Sequence, residues 1–416
     1  NPSCLVPPDP VIAACPDHLV AVVNVTFSIH DKVGGPVTII DAASFFSADP
    51  NCPGGVFDPD VVFDEDAGRF VLGYDASGTH YCVAFSDDAD PFGTWFLYAF
   101  QTGFGGEFFD YPHIGVGPEC IGMGANMFTS VFVGSDVWCM EKADGYAGGA
   151  LTVVMGTTGF SSTPQPADLK GSDLTTTGPE HHYFTDDQFD GQTFGIFEWD
   201  ALGVGGNPIE VATPAWTPGG GGFPINTPQT GADDLQANDW RIQTHATQRN
   251  GSAWISATVS ANPSGTGTVN CFQWAEVDVN SDSLFQGGLV CPDTHIDPLR
   301  NAIFADIAAN ECGDAFAGFT RSQATDDPGT AICGRRGDTP LGSLRCGKGI
   351  KRGEVPYGAF DGEPLRWGDY SGMAPDTNGS DFWYFGEFSK DLDNGIANWG
   401  THIGRIETDC VPGGGG

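Results

Sequence analysis

Residues 58 to 100 open with Asp58-Pro59-Asp60-Val61-Val62-Phe63-Asp64 and close on Thr94-Trp95-Phe96-Leu97-Tyr98-Ala99-Phe100. Between these ends lie four short apolar runs, 61–64, 69–74, 81–86 and 94–100, separated by Gly, Asp and Pro. Runs of this length, rich in Val, Phe and Tyr and cut by turn residues, are strands, and four in succession make a meander. The unit is the clearest of its kind in the chain. Working outward, similar groups occupy 19–41, 110–155, 168–214, 239–290, 301 to about 345, and 369–406. They recur at about 40 to 70 residues, the loose period of propeller blades with unequal loops.

The expected fold is therefore all-β, a disulfide-bonded β-propeller of seven blades, with six blades as the alternative. The first and last groups each show about three strands, which suits a ring whose terminal strands share a blade. Residues 1–17 carry Pro2, Pro7, Pro8, Pro10 and Pro16 and read as a Pro-rich N-terminal arm, because Pro cannot donate to a sheet ladder. Residues 18–410 form the propeller domain, and 411–416 read as a Gly-rich tail or linker.

Composition agrees with that architecture. The 416 residues include 60 Gly and 29 Pro, with 12% aromatic and 17% charged residues, a balance for many short strands and tight turns. Twelve Cys without zinc-ligand spacing point to disulfides and an oxidising compartment. Neighbouring runs suggest the pairs Cys52 with Cys82, Cys120 with Cys139, and Cys271 with Cys291. Spacing does not pair Cys4, Cys15, Cys312, Cys333, Cys346 and Cys410. The chain opens at Asn1 and has neither a charged-then-apolar leader nor an apolar run long enough to span a bilayer, so it reads as a processed, secreted ectodomain. Sequons at Asn24, Asn250 and Asn378 mark it as a candidate glycoprotein.

Fifty-four acidic against 17 basic residues give a formal charge of -37, which excludes nucleic acid and anionic lipid as partners. Much of the acidity is Asp in turns. Several segments resemble a family of secreted, propeller-like proteins, mostly of bacterial origin and without an assigned activity. They are Val22-Val23-Asn24-Val25-Thr26-Phe27, the 58–64 stretch followed by Gly68-Arg69-Phe70, and Cys82-Val83-Ala84-Phe85-Ser86 with Asp90-Pro91-Phe92-Gly93-Thr94-Trp95. Asp110-Tyr111-Pro112-His113-Ile114-Gly115-Val116 and Arg366-Trp367-Gly368-Asp369-Tyr370-Ser371-Gly372-Met373 continue the set. The resemblance implies architecture and secretion, and it carries no catalytic residues.

Candidate chemistry begins with the Asp that opens five of the groups: Asp58, Asp110, Asp168, Asp239 and Asp369. The first residue of an innermost strand lies near a rim of the central channel, where carboxylates either bind a divalent cation, act on a glycan, or cap turn amides. Calcium is the expected cofactor, at Asp58, Asp110 and Asp369 or in the turn that holds Asp376 and Asp381. Asp278-Val279-Asn280-Ser281-Asp282 also alternates oxygen ligands, although Ser283 and Leu289 stand where a calcium loop needs Gly and Glu. His181-His182 beside Asp186-Asp187 is the densest titratable cluster, but adjacent strand residues face opposite ways and do not converge on one ion.

Trp95, Trp138, Trp199, Trp254, Trp274, Trp367, Trp383 and Trp399 fall inside strand patterns and are expected to pack between blades. The sialidase box, the Gly-x-Ser-x-Gly elbow and the His-Glu-x-x-His zinc helix are absent. With no hydrolase signature, the leading expectation is a non-catalytic extracellular structural or adhesive module, associating with copies of itself into a fibril through the N-terminal arm. The alternative is a glycan-binding propeller, or a glycan-active hydrolase or lyase.

Overall fold

The computed structural model describes residues 5–35, 37–175, 181–187, 190–217, 220–243, 245–291, 300–358, 362–392 and 399–413. Strands Val11–Ala14, His18–Val23, Thr26–Asp31 and Thr38–Asp41 (β1–β4) form the first sheet in chain order. The second holds Val56–Asp64, Arg69–Ala76, His80–Ser86 and Trp95–Gln101 (β5–β8), and the third Phe108–Val116, Cys120–Phe128, Phe132–Glu141 and Val153–Gly159 (β9–β12). Two meanders follow within one eight-stranded sheet. They are Ser162–Leu169, His181–Asp187, Thr193–Trp199 and Ile209–Ala212 (β13–β16), then Ala246–Arg249, Ser252–Ala261, Val269–Asp278 and Ser283–Val290 (β17–β20). Parallel pairing of Ala167 with Ala246 and of Leu169 with Gln248 joins them through β13 and β17. Asn301–Ala309, Ala315–Gln323, Asp326–Arg335 and Arg345–Lys351 (β21–β24) come next, then a sheet of Gly372–Pro375, Phe382–Ser389 and Trp399–Ile406 (β25–β27).

The first strand of each meander touches the first strand of the next, and β25 touches β1. These contacts close a ring whose blades radiate from an axis, a β-propeller. At the closure, Gly372 lies so near β1 that a Cβ there would stand 2.8 Å from the Ile12 nitrogen. The innermost strands are largely buried on both faces, and β1, β13, β21 and β25 are buried along their whole length, even where, as in β13, most residues are polar or Pro.

Two sequence expectations change here. The proposed N-terminal arm is not free of the sheet: Val11–Ala14 is β1, the inner strand of the first blade, paired Val11 to Val22 through Ala14 to Leu19. Pro7, Pro8 and Pro10 all precede β1 and Pro16 follows it, so no proline interrupts its ladder. The terminal strands do not share a blade either, since β1–β4 and β25–β27 are separate sheets that meet edge to edge at the axis. The expected Cys52–Cys82, Cys120–Cys139 and Cys271–Cys291 bonds are present, and two further bonds, Cys312–Cys410 and Cys333–Cys346, take four of the cysteines left unpaired. Cys15 is a buried thiol, while Cys4 lies outside the described residues. Cys312–Cys410 closes a 98-residue separation and ties the end of the chain to the β21–β22 turn.

Candidate active site on the ring axis

A local backbone device recurs at the entry to the inner strands. Asp9, Asp58, Tyr111, Thr163 and Phe304 all have left-handed φ, between 45° and 62°. In β5, β9, β13 and β21 the register slips at that residue, which is a β-bulge. Pro10, Pro59, Pro112 and Pro164 come directly after four of these residues, because neither a bulged position nor, for Pro10, one just ahead of the strand has a ladder bond to lose. Two residues past the left-handed one in those four strands stand Asp60, His113, Gln165 and Asp306, all fully buried polar side chains. In β5 and β9 the bulge thus sets Asp58 and Tyr111 on the rim and the side chain two residues on, Asp60 or His113, in the interior. The sequence reading saw the opening Asp residues and missed this motif, whose signal is a polar or aromatic residue, usually Pro, and a polar residue.

Around the rim lies an open cavity of about 570 Å3 lined by Asp9, Asp58, Asp110, Asp239 and Asp369 together with Arg241 and Arg366. Asn24 organises one side. Its amide donates to Asp9 Oδ2 at 2.7 Å and to the Pro7 carbonyl at 2.9 Å, and its oxygen accepts from the Asp58 N–H at 2.7 Å. Asp9 Oδ1 accepts from the Asp369 N–H at 2.8 Å, and Asp58 Oδ2 accepts from the Tyr111 N–H at 3.2 Å. Arg366 pairs with Asp369 at 2.5 Å, and Asn238 also donates to that carboxylate. Arg241 grips Asp239 through two bonds of 2.8 Å and lies 4.7 Å over the Tyr111 ring.

These surroundings split the carboxyls. Burial, followed by repulsion from Asp110 and Asp369, holds Asp58 well above the ordinary carboxylate range, and burial with repulsion from Asp369 and Asp58 does the same to Asp9. Burial raises Asp110 as well, opposed by the positive charge of Arg241. Asp239 goes the other way: burial would raise it, but Arg241 holds it below the usual value. A site with some carboxyls poised to keep a proton beside others held ionised has the raw material of acid–base chemistry.

Beneath the rim, Asp60 accepts from His245 Nε2 at 2.7 Å and pairs with His113 Nδ1 at 3.2 Å, while the Val61 and Ile114 N–H groups donate to it at 2.7 Å each. Asp60 is held below the usual carboxylate range: burial opposes its charge, and the charge of His245 overcomes that penalty. Burial likewise disfavours the His245 cation, yet Asp60 pushes it up to about 9. His113, by contrast, is lowered by burial despite its bond to Asp60. The result is a charged Asp60–His245 pair with both carboxylate oxygens occupied. Tyr370 closes the layer, its ring 4.7 Å from His113 and its hydroxyl donating to the Pro59 carbonyl at 3.1 Å.

Of the predicted ligands, Asp58, Asp110 and Asp369 converge on the rim cavity, and Asp376 and Asp381 do not. Asp376 is taken by Lys32 at 2.8 Å and Trp383 at 2.6 Å, and Asp381 by Arg405 at 2.7 Å and the Thr408 N–H at 3.1 Å. Those two carboxylates therefore already have their counter-charges. Among the described residues two groups of three bring metal-ligating atoms within 4.8 Å of one another, Asp60–His113–His245 and His182–Glu198–Asp282, and none of the five predicted ligands belongs to either. The sequon at Asn24 is corrected too: Asn24 is 5% exposed and its amide nitrogen is committed to the rim. Asn250 and Asn378 lie on exposed turns.

A second cavity of about 230 Å3 shares Asp239, Arg241 and Phe223 with the rim and continues over Trp240 and Phe132. Trp240 and the half-exposed Phe223 pack edge to face at 4.7 Å, forming an aromatic shelf beside the carboxyls. Trp240 was not among the tryptophans singled out from the sequence. Seven of those eight, Trp138, Trp199, Trp254, Trp274, Trp367, Trp383 and Trp399, are buried as packing residues, in keeping with the sequence reading, and Trp95 is half-buried.

No protein-family model and no curated protein matches the chain. Solved structures do. The alpha-L-arabinanase of Penicillium chrysogenum in complex with arabinobiose is 12% identical over 85% of this chain and 93% of its own, with a TM-score of 0.41. The alpha-L-arabinofuranosidase of Fusarium graminearum, also with arabinobiose, is 11% identical over 86% and 94%, at 0.43. An ulvan lyase bound to -[GlcA(1-4)Rha3S]- is 10% identical over 86% and 83%, at 0.45. These are glycan-active enzymes, which runs against the expectation of a non-catalytic structural or adhesive module. Its fibril-forming arm is lost on the fold as well, because β1 is already paired inside its own blade. The chemistry of the site rests on the chain's own residues.

Proposed function

We propose that the chain is an extracellular glycoside hydrolase acting on neutral glycans, built on a seven-bladed ring, with the rim cavity as its active site. The seven inner strands β1, β5, β9, β13, β17, β21 and β25 support the blade number, and the five disulfides support an oxidising compartment. The observation that carries the activity is the carboxyl pair Asp58 and Asp110, each raised, in an open cavity that runs onto an aromatic shelf.

Asp58, pushed up further, holds the proton and delivers it to the glycosidic oxygen as the bond breaks. Asp110, whose rise the positive charges of Arg241 and Arg366 oppose, is the carboxylate that answers the positive charge developing on the sugar, and water adds to that carbon as the leaving sugar departs with the proton. Arg241 and Arg366 are already paired to Asp239 and Asp369, so they present no unopposed charge to a uronate. A charge of -37 points the same way, since it repels polyanionic chains. Trp240 and Phe223 supply the face on which a neighbouring sugar ring stacks.

The test is turnover of a panel of neutral and uronic-acid polysaccharides by wild type and Asp58→Asn. New reducing ends from a neutral glycan, lost in the variant, are expected. Binding without cleavage by both proteins would make the site a glycan receptor, and unsaturated products from a uronate polymer would make it a lyase; either result overturns the hydrolase reading.

A further inference from the structure

A second cluster lies outside the rim cavity, on the seam between the two meanders that share the eight-stranded sheet. His182 on β14 stands directly opposite Glu198 on β15, and Asp282 reaches them from the β19–β20 turn in a left-handed conformation, φ 49°. Strand alternation places the neighbouring His181 on the other face, where its Nε2 lies 3.1 Å from the Gly115 carbonyl. His182 is 6% exposed, yet its Nε2 and Asp282 Oδ1 are both buried without a hydrogen bond. The separations explain why. His182 Nε2 lies 3.5 Å from Asp282 Oδ1 and 3.6 Å from Glu198 Oε1, beyond the usual reach of N–H···O. Ligands at about 2.0–2.1 Å from a tetrahedral zinc stand roughly 3.4 Å from one another.

We propose that His182, Glu198 and Asp282 form a divalent-metal site of the zinc class that clamps the β13–β16 blade to the β17–β20 blade. One neutral imidazole and two carboxylates match the charge of a dication, and this mixed N/O set suits zinc better than calcium, which takes six to eight oxygens. The carboxyl side chains are 35% and 26% exposed, which leaves a solvent side for water as the fourth ligand. The site is independent of the rim chemistry and does not rest on the hydrolase reading.

The experiment uses the full chain, stripped with chelator and titrated with Zn2+ against a chromophoric competitor. Parallel Co2+ titrations report geometry by visible absorption, and melting curves confirm that each variant folds. Wild type is expected to bind one equivalent, with a tetrahedral cobalt spectrum and a raised melting temperature. Asp282→Asn, on a surface turn, and His182→Gln are expected to weaken zinc binding by roughly 100-fold or more, since even outer-shell changes cost about 10–100-fold. Absence of zinc binding by wild type overturns the proposal. So does zinc bound equally by a folded Asp282→Asn protein, which would place the metal elsewhere, including at Asp60–His113–His245.

Discussion

Asp60 on the axis and Asp282 on the blade seam each sit within reach of an imidazole, and both belong to groups whose ligand atoms lie within 4.8 Å. Their contacts differ in kind. Asp60 receives a proton-bearing His245 at 2.7 Å and two backbone N–H groups at 2.7 Å, so its charge is answered by hydrogens already in place. His182 Nε2 and Asp282 Oδ1 face each other at 3.5 Å, beyond the usual N–H···O reach, and neither atom has another hydrogen bond. An Asp–His cluster at hydrogen-bond spacing is filled by protons, whereas one at ligand-edge spacing has room for an ion. Residue type alone does not separate the two cases. Spacing and donor count do.

The largest effect expected from the axial region is catalytic. Asp58→Asn keeps the size and the Tyr111 contact but removes the transferable proton, so turnover should fall by about 10²–10⁴-fold with the melting temperature near that of wild type. A variant with full activity would move the acid to Asp9 or Asp110, the other raised carboxyls. Next in size is Asp60→Asn. Breaking a buried ion pair typically costs about 3–5 kcal/mol, and denaturant unfolding should show a loss of that order. A loss well under 1 kcal/mol would mean that the axial pair is not the proton-filled cluster described above.

Much of this was legible in the strand rhythm. The meander groups and three disulfides followed from the spacing of short apolar runs and Cys, because both are local properties of neighbouring strands. Asp58, Asp110 and Asp369 converge for a similarly simple reason, as each sits at the start of an inner strand. What eluded the sequence is long-range. Asp376 and Asp381 looked like open ligands, but Lys32 and Arg405 come to them from 344 and 24 residues away. Asn24 has a sequon's pattern and a rim residue's contacts. His245 pairs with Asp60 across 185 residues of chain, and Trp240 gains its role only from the turn that brings Phe223 against it. The N-terminal prolines argued against a strand where the strand simply begins after them.

A smaller effect follows from pH. His245 has its folded value pushed up to about 9 from an ordinary 6.5, so the pair's stabilisation is full below 6.5 and is lost as pH rises through about 9. Asp60 is shifted down from 3.8, so on the acid side the contribution present above that value is lost as pH falls below it. Melting temperature against pH should therefore decline on the alkaline limb in wild type, and His245→Gln should flatten that limb. An unchanged limb in the variant would show that His245 is not the charged partner of Asp60.

The smallest effect sharpens the seam side of the comparison, because it asks whether the metal site belongs to a loop or to a seam. Asp278 and Asp282 occupy the same turn, and the alternation of oxygen-bearing residues between them is what suggested calcium from sequence. In the structure Asp278 is spent within the turn, accepting from the Asn280 N–H at 3.0 Å and the Ser281 hydroxyl at 2.8 Å. Those contacts hold its carboxyl below the usual range, the Ser281 bond most of all. Asp282, four residues on, turns to another blade instead. Asp278→Ala should thus cost only the ~1 kcal/mol of an exposed turn bond and leave zinc affinity unchanged, while Asp282→Asn weakens it by roughly 100-fold or more. Millimolar calcium should not raise the melting temperature of either variant or of wild type. If Asp278→Ala weakened metal binding as much as Asp282→Asn, or if calcium stabilised the wild type as zinc does, the ligands would be the turn's own oxygens. The contrast between a proton-filled axis and an ion-filled seam would then fail on its second half.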